Sequence, residues 1–171
     1  VVVSSTANYT VDANDSDVGD SEVCTATVID SVGEMATSVD SVTVENTAPI
    51  LSGPNLSAIN VFNDDTLSCT ATVTDPDESL SLSYEWEIGG VVVGSTDTLD
   101  LVTTSALPGD SVLCTASVTD SEGATASGSA TAMVDNRAPS TPTVSISPAA
   151  PVEQQDDLIC NIDVDSIDPD G

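Results

Sequence analysis

The chain has 171 residues, room for one or two domains, and carries one basic residue, Arg137, against 29 acidic ones, for a formal net charge of −28. Phosphate recognition draws on Lys and Arg, so this balance excludes a nucleic-acid partner and argues against an anionic membrane surface. The chain contains no histidine, so no Ser-His-Asp or Cys-His nucleophilic set can be assembled from it.

Hydrophobic residues make up 39% but aromatics only 2%, with Val, Ala and Thr dominant, which suits thin β-structure and not disorder. No apolar run approaches the length of a membrane span. The first three residues are valines, with no Met and no basic region, so a secretory leader is not expected there and the start reads as the interior of a longer chain.

Two stretches of sequence recur. GDSEVCTATV (19–28) falls on GDSVLCTASV (109–118) at an offset of 90, and IDSVGEMATS then falls on TDSEGATASG. TVENTAP (43–49) falls on the AMVDNRAP segment that ends at Pro139. DDTLSCTATV (64–73) falls on DDLICNIDV (156–164), aligning Cys69 with Cys160 at an offset of 91, and DPDE (75–78) falls on DPDG (168–171). Two independent anchors thus give one period of about 90 residues. The expected organisation is the C-terminal half of a repeat in 1–46, a complete repeat in 47–136, and the N-terminal half of the next in 137–171. The two halves together lack only a counterpart of about a dozen residues, SLSLSYEWEIGG, of the complete repeat.

Within the complete repeat, Pro49, Gly53 and Pro54 punctuate the start. LSAINVF (56–62) and TLSCTATV (66–73) alternate at period two, as half-buried strands do. DPDES (75–79) is a turn. LSYEWEI (82–88) alternates again, and Gly89-Gly90 signals a hairpin into VVVGS, followed by TLDLV. A turn at Pro108-Gly109 leads into SVLCTASVTD (111–120), a turn at 121–123, and a last strand in ATASGSATAMV (124–134). The expectation is an all-β fold of about seven short antiparallel strands in a sandwich.

Cys69, Trp86 and Cys114 stand in the Cys…Trp…Cys order of immunoglobulin domains, and SYEWEIGG resembles the central strand and hairpin of PKD-type repeats. The chain is therefore similar to tandem immunoglobulin-like repeats of bacterial and archaeal extracellular surface proteins. It departs from antibody domains at Val112, where the tyrosine corner would be. The resemblance implies an inter-sheet disulfide between Cys69 and Cys114, and hence an oxidising compartment, outside the cell or at its surface. Buried free thiols are the alternative. Cys24 matches the second cysteine of a repeat and Cys160 the first, so each is expected to pair with a neighbouring repeat or another copy.

The same topology brings each linker beside the loops of the following repeat. At one junction Glu45 and Asn46 are expected near Asp75, Asp77 and Asp120; at the next, Asp135 and Asn136 near Asp168 and Asp170. Converging carboxylates suit Ca²⁺, which takes six to eight oxygens, and VDNRAP resembles the calcium-stiffened linkers of cadherins. Asp-Pro-Asp is also a good turn without any metal. No other cofactor is implied. Asn8, Asn14 and Asn55 head N-glycosylation sequons. The acidic pair Asp64-Asp65 reads as solvated turn residues. Residue type allows a paired-carboxylate glycosidase, but the repeat sets acids at equivalent sites, and an active site is rarely duplicated in tandem. The expected function is structural: a repeat segment of an extracellular filament, stalk or surface fibre, associating end to end with neighbouring repeats or copies of itself. The alternatives are an adhesin region that binds a cell, glycan or mineral surface, and the spacer of a larger secreted enzyme.

Overall fold

A computed structural model of the chain describes residues 8–12 and 14–171. The regular structure among them is β throughout, apart from one 3-10 turn at Leu101–Thr103. No helix among the described residues is long and apolar enough to cross a membrane. Twelve strands run in chain order: β1 (Ser21–Ile29), β2 (Met35–Thr43), β3 (Ile50–Leu56), β4 (Asn60–Val61), β5 (Thr66–Thr74), β6 (Ser83–Ile88), β7 (Val91–Gly94), β8 (Thr98–Asp100), β9 (Ser111–Thr119), β10 (Thr125–Val134), β11 (Thr143–Ser147) and β12 (Ile159–Val164). They form a five-stranded sheet in the order β4-β10-β9-β6-β7, a three-stranded sheet β3-β5-β8, and two hairpins, β1-β2 and β11-β12.

The chain gathers into two compact units. One comprises Val1–Gly53, Ala71–Ser83 and Ala116–Gly128, and the other Pro54–Thr70, Tyr84–Thr115 and Ser129–Gly171.

The second unit holds the main core. Alternation in β5, β6 and β9 turns Leu67, Cys69, Trp86, Ile88, Val112 and Cys114 inward, and Leu99, Leu101, Ala132 and Val134 complete the cluster. Cys69 of β5 and Cys114 of β9 form a disulfide with Cα atoms 6.5 Å apart, joining the three-stranded to the five-stranded sheet. Trp86 is fully buried, and its indole N–H donates to the Thr96 carbonyl oxygen at 2.8 Å. A Cβ at Gly94 would lie 3.1 Å from Leu99 Cδ1 and 3.4 Å from Trp86 Cδ1, so β7 runs close against the indole and glycine gives it room. Asp100 caps the 3-10 turn by accepting from the Val102 N–H, which ends β8 sooner than the TLDLV pattern suggests.

Two strands depart from the sequence expectation: β4 pairs parallel with β10 where antiparallel strands are expected, and β3 lies where a break is expected. Ile50–Leu56 is β3, although Gly53 and Pro54 read there as punctuation, and of LSAINVF only Asn60–Val61 pairs again, as β4. The physical reason lies in the position of β3 at a sheet edge, where proline's missing N–H costs no ladder bond. Gly53 sits at φ +102°, a conformation that side chains strain to reach.

In the first unit, β1 and β2 pair antiparallel in unbroken register from Ser21 with Thr43 to Ile29 with Met35. The backbone bonds around this hairpin recur 90 residues later. Gly19 N–H donates to the Val44 carbonyl, and Gly109 N–H to that of Val134. Val44 N–H donates to Asp20 O, and Val134 N–H to Asp110 O. In the turn, Asp30 N–H donates to Glu34 O and Asp120 N–H to Ala124 O. β1 and β9 share their bounds at that offset.

Trp86 and the disulfide are expected to dominate stability. Emptying a buried tryptophan site costs about 3–5 kcal/mol. Closing a loop with a sequence separation of 45 contributes about 4 kcal/mol. Urea unfolding of the whole chain should show both W86A and C69A/C114A losing most of the cooperative transition, whereas W86F should keep it at a lower midpoint.

Candidate functional site

The positions singled out by sequence fall at two places, each within one compact unit. In the first unit the linker after β2 meets the β5–β6 and β9–β10 turns. Asn46 Nδ2 donates to Asp120 Oδ2 at 2.9 Å, and Thr47 N–H donates to Asp77 Oδ2 at 2.6 Å. Asp77 N–H closes an Asx turn on Asp75 Oδ1 at 2.8 Å, the local geometry that Asp-Pro-Asp favours. Asp120 is buried and also accepts from Ala124 N–H at 2.6 Å. The Asn46 amide, followed by the backbone N–H groups of the β9–β10 turn, holds the Asp120 carboxyl below its ordinary range. Ser121 donates through both its N–H and its hydroxyl to Glu78 Oε1, at 2.8 and 3.0 Å. Asp17, Val18, Asp77, Glu78, Ser121 and Glu122 line an open cleft here. Asp75 Oδ2 is buried without a hydrogen-bond partner. Glu45, on the same linker, is exposed.

In the second unit the equivalent linker bonds the same way. Arg137 stands at the Thr47 position, and its N–H donates to Asp170 Oδ2, while Asp170 N–H closes on Asp168 Oδ1 at 3.0 Å. The linker N–H thus meets the second aspartate of Asp-Pro-Asp at both places, and the first aspartate turns the motif at both. Asn136 differs from Asn46: its side chain donates to the Arg137 carbonyl oxygen at 3.0 Å. Asp135 Oδ2 accepts from Asn60 Nδ2 at 2.9 Å.

Arg137 adds what the first place lacks. Its guanidinium donates to Asp170 Oδ1 at 2.8 Å, to Asp64 Oδ2 at 2.9 Å, to Asn63 Oδ1 at 2.9 Å and to the Pro169 carbonyl at 3.3 Å. It lies over the Phe62 ring, 4.7 Å from the centroid. Asn63 Nδ2 bonds the Asp170 carbonyl at 3.0 Å. The Asp170 side chain is 3% exposed and that of Asp64 is 55% exposed, so the first ion pair is shielded from solvent and the second is open to it. The Arg137 hydrogen bond holds the Asp64 carboxyl below its ordinary range, and Asp64, then Asp170, raises the guanidinium further. Sequence reasoning passed over Arg137 and read Asp64 as a solvated turn residue. The available signal was one basic residue, placed where the repeat has Thr47.

Calcium would need six to eight oxygens around one point. Among the described residues no three His, Cys, Asp or Glu side chains gather as metal ligands. Asp77, Asp120 and Asp170 accept from N–H donors, and at the second place a guanidinium supplies positive charge.

Cys24 and Cys160 are both free and exposed. Of the sequon residues, Asn8, Asn14 and Asn55 are exposed; Asn14 N–H and its amide both donate to Asp12 Oδ1, and the third residue of that sequon, Ser16, is buried against Glu22 and Tyr9. No known protein family and no curated protein matches the chain.

Two substitutions separate the contacts. R137A leaves the buried Asp170 carboxylate without its cation, and R137K keeps a charge but loses the planar fork. R137A should lower the unfolding midpoint more than R137K, and the gap from wild type should narrow as salt screens the exposed Asp64 arm. At Asp120 the lowered folded pKa stabilises the fold above the ordinary carboxylate value, and that contribution is lost as pH falls through the folded value. The stability difference between wild type and N46A should therefore hold from neutral pH down to about pH 5 and close below about pH 4, read by urea titrations across pH.

Proposed function

We propose that the chain is a segment of an extracellular tandem array of immunoglobulin-like β-sandwich repeats whose role is structural: a filament, stalk or surface fibre. The complete repeat is 47–136, flanked by the C-terminal half of one in 1–46 and the N-terminal half of another in 137–171. The single observation that carries this reading is the recurrence of one junction. The Thr47 and Arg137 N–H groups each donate to the last aspartate of an Asp-Pro-Asp turn, Asp77 and Asp170. Equivalent bonds at equivalent positions are what repeats of one unit are expected to make, and the side-chain bonds from Asn46 to Asp120 and from Arg137 to Asp64 and Asn63 cross the proposed boundaries, as serial stacking requires.

Further features support the same reading. Cys69 and Cys114 are bonded, as suits an oxidising environment outside the cell. Core positions are filled by Val, Leu, Ile, Ala, the bonded cysteines and one Trp, a composition that suits a role carried by shape. The acidic surface keeps a long array soluble and resists side-by-side aggregation of strand edges. Its partners are neighbouring repeats or copies of itself.

Electron microscopy of native material tests the proposal. Regular fibres with an axial repeat of one or two domain lengths are expected. Flexible beads with no longitudinal order would contradict it and favour a spacer or adhesin. A chelator in the same experiment reads the contribution of calcium. Loosening would assign a cation to the first junction, where Asp75 Oδ2 lacks a partner; unchanged fibres would leave the junctions to their hydrogen bonds and Arg137.

A further inference from the structure

The two hairpins outside the complete repeat carry complementary halves of one interface. β12 repeats β5: Leu158, Cys160, Ile162 and Val164 take the places of Leu67, Cys69, Ala71 and Val73. In β5, Leu67 and Cys69 are buried. In β12 the same face is open, with Leu158, Ile162 and Val164 at 60%, 65% and 57% exposure. The register of β11 on β12 sets Ile146 beside Cys160 and Val144 beside Ile162, which widens this apolar face around the free thiol.

β1 repeats β9 in the same manner. Cys24, Ala26 and Val28 take the places of Cys114, Ala116 and Val118, all three buried in β9. Cys24 is exposed and Val28 is 68% exposed, and on β2 the same face carries Val42, opposite Glu22 in the register and 66% exposed. The complete repeat displays what covers each face: β5 is bonded to β9 through Cys69–Cys114.

On the reading of the chain as repeats, we infer that the β11–β12 face of one copy docks on the β1–β2 face of a second, and that Cys160 of the first bonds to Cys24 of the second. The composite is a looser body than 47–136. Glu22 stands in the place of the buried Val112, and Asp40 lies opposite Cys24 in the register. The disulfide therefore holds it together, and assembly follows the redox state. A low-molecular-weight disulfide such as oxidised glutathione is the oxidant. One cysteine thiolate attacks it and releases a glutathione thiol. The other thiolate attacks the mixed disulfide and releases the second. Two protein thiols are oxidised, and one glutathione disulfide is reduced to two thiols.

The test mixes the full chain carrying C24S with the full chain carrying C160S in a glutathione redox buffer. Each variant keeps one of the two exposed cysteines, and the expected product is a heterodimer. Digestion at Asp and Glu, followed by non-reducing mass spectrometry, should find a Cys160–Cys24 cross-linked peptide beside the intrachain Cys69–Cys114 peptide. Wild type alone should give a ladder of oligomers that collapses on reduction. Homodimers through like cysteines, free thiols at both positions, or a wild-type monomer with an internal Cys24–Cys160 bond would each overturn the pairing. If the Cys69–Cys114 peptide is present while the pairing fails, the repeat reading stands without the docking. If that peptide is itself absent, the repeat reading falls.

Discussion

The bond between Cys69 and Cys114 ties the three-stranded sheet to the five-stranded one, in a core whose only indole is Trp86. A core built from Val, Leu, Ala, one isoleucine, two cysteines and one tryptophan buries little area per side chain, so its hydrophobic contribution is small for its length. The covalent link compensates by narrowing the unfolded ensemble. It also fixes the facing of β5 on β9, and with it the inward set of every neighbouring strand, because side chains alternate along each strand. Trp86 then fills the space that the small residues leave, and Gly94 lets β7 lie close over it.

A second constraint is charge. With a net charge of −28, every loop that approaches another brings carboxylates together. The protein meets this by turning several of the carboxylates toward backbone and side-chain N–H donors. Asp120 takes Asn46 and Ala124, Asp77 takes Thr47, and Asp170 takes Arg137. Such charge-assisted hydrogen bonds are among the stronger ones and need no counterion. Where the one guanidinium is available, it draws Asp64, Asp170 and Asn63 together over Phe62. Stability at the junctions thereby becomes a matter of aligned donors and not of charge neutralisation alone.

Much of this was legible in the sequence, for reasons that differ by element. The disulfide followed from the resemblance carried by Cys69, Trp86 and Cys114. The turn at 121–123 was visible because Asp and Gly fix local backbone geometry within a few residues. The strand β3 was hidden because Gly53 and Pro54 weaken a local pattern, and only position at a sheet edge makes them tolerable. Arg137 was hidden for the opposite reason. Its partners lie 33 and 73 residues away along the chain, and no local spacing encodes such an encounter. The approach of Asn46 to Asp120, and of the 47 linker to Asp77, came from topology; their chemistry did not, because sequence alone cannot tell a carboxylate that receives an N–H from one that waits for a metal.

The central claim is that the same backbone bond, from a linker N–H to the last aspartate of an Asp-Pro-Asp turn, recurs at Thr47 and at Arg137. Amide hydrogen exchange on the intact chain addresses it directly, because the bonds in question are made by backbone N–H groups. The account predicts slowed exchange at Thr47 and at Arg137, together with the Asp77 and Asp170 amides that close the two Asx turns. Exchange at Thr47 and Arg137 as fast as in an unstructured peptide, with the β5 and β9 core still protected, would contradict it.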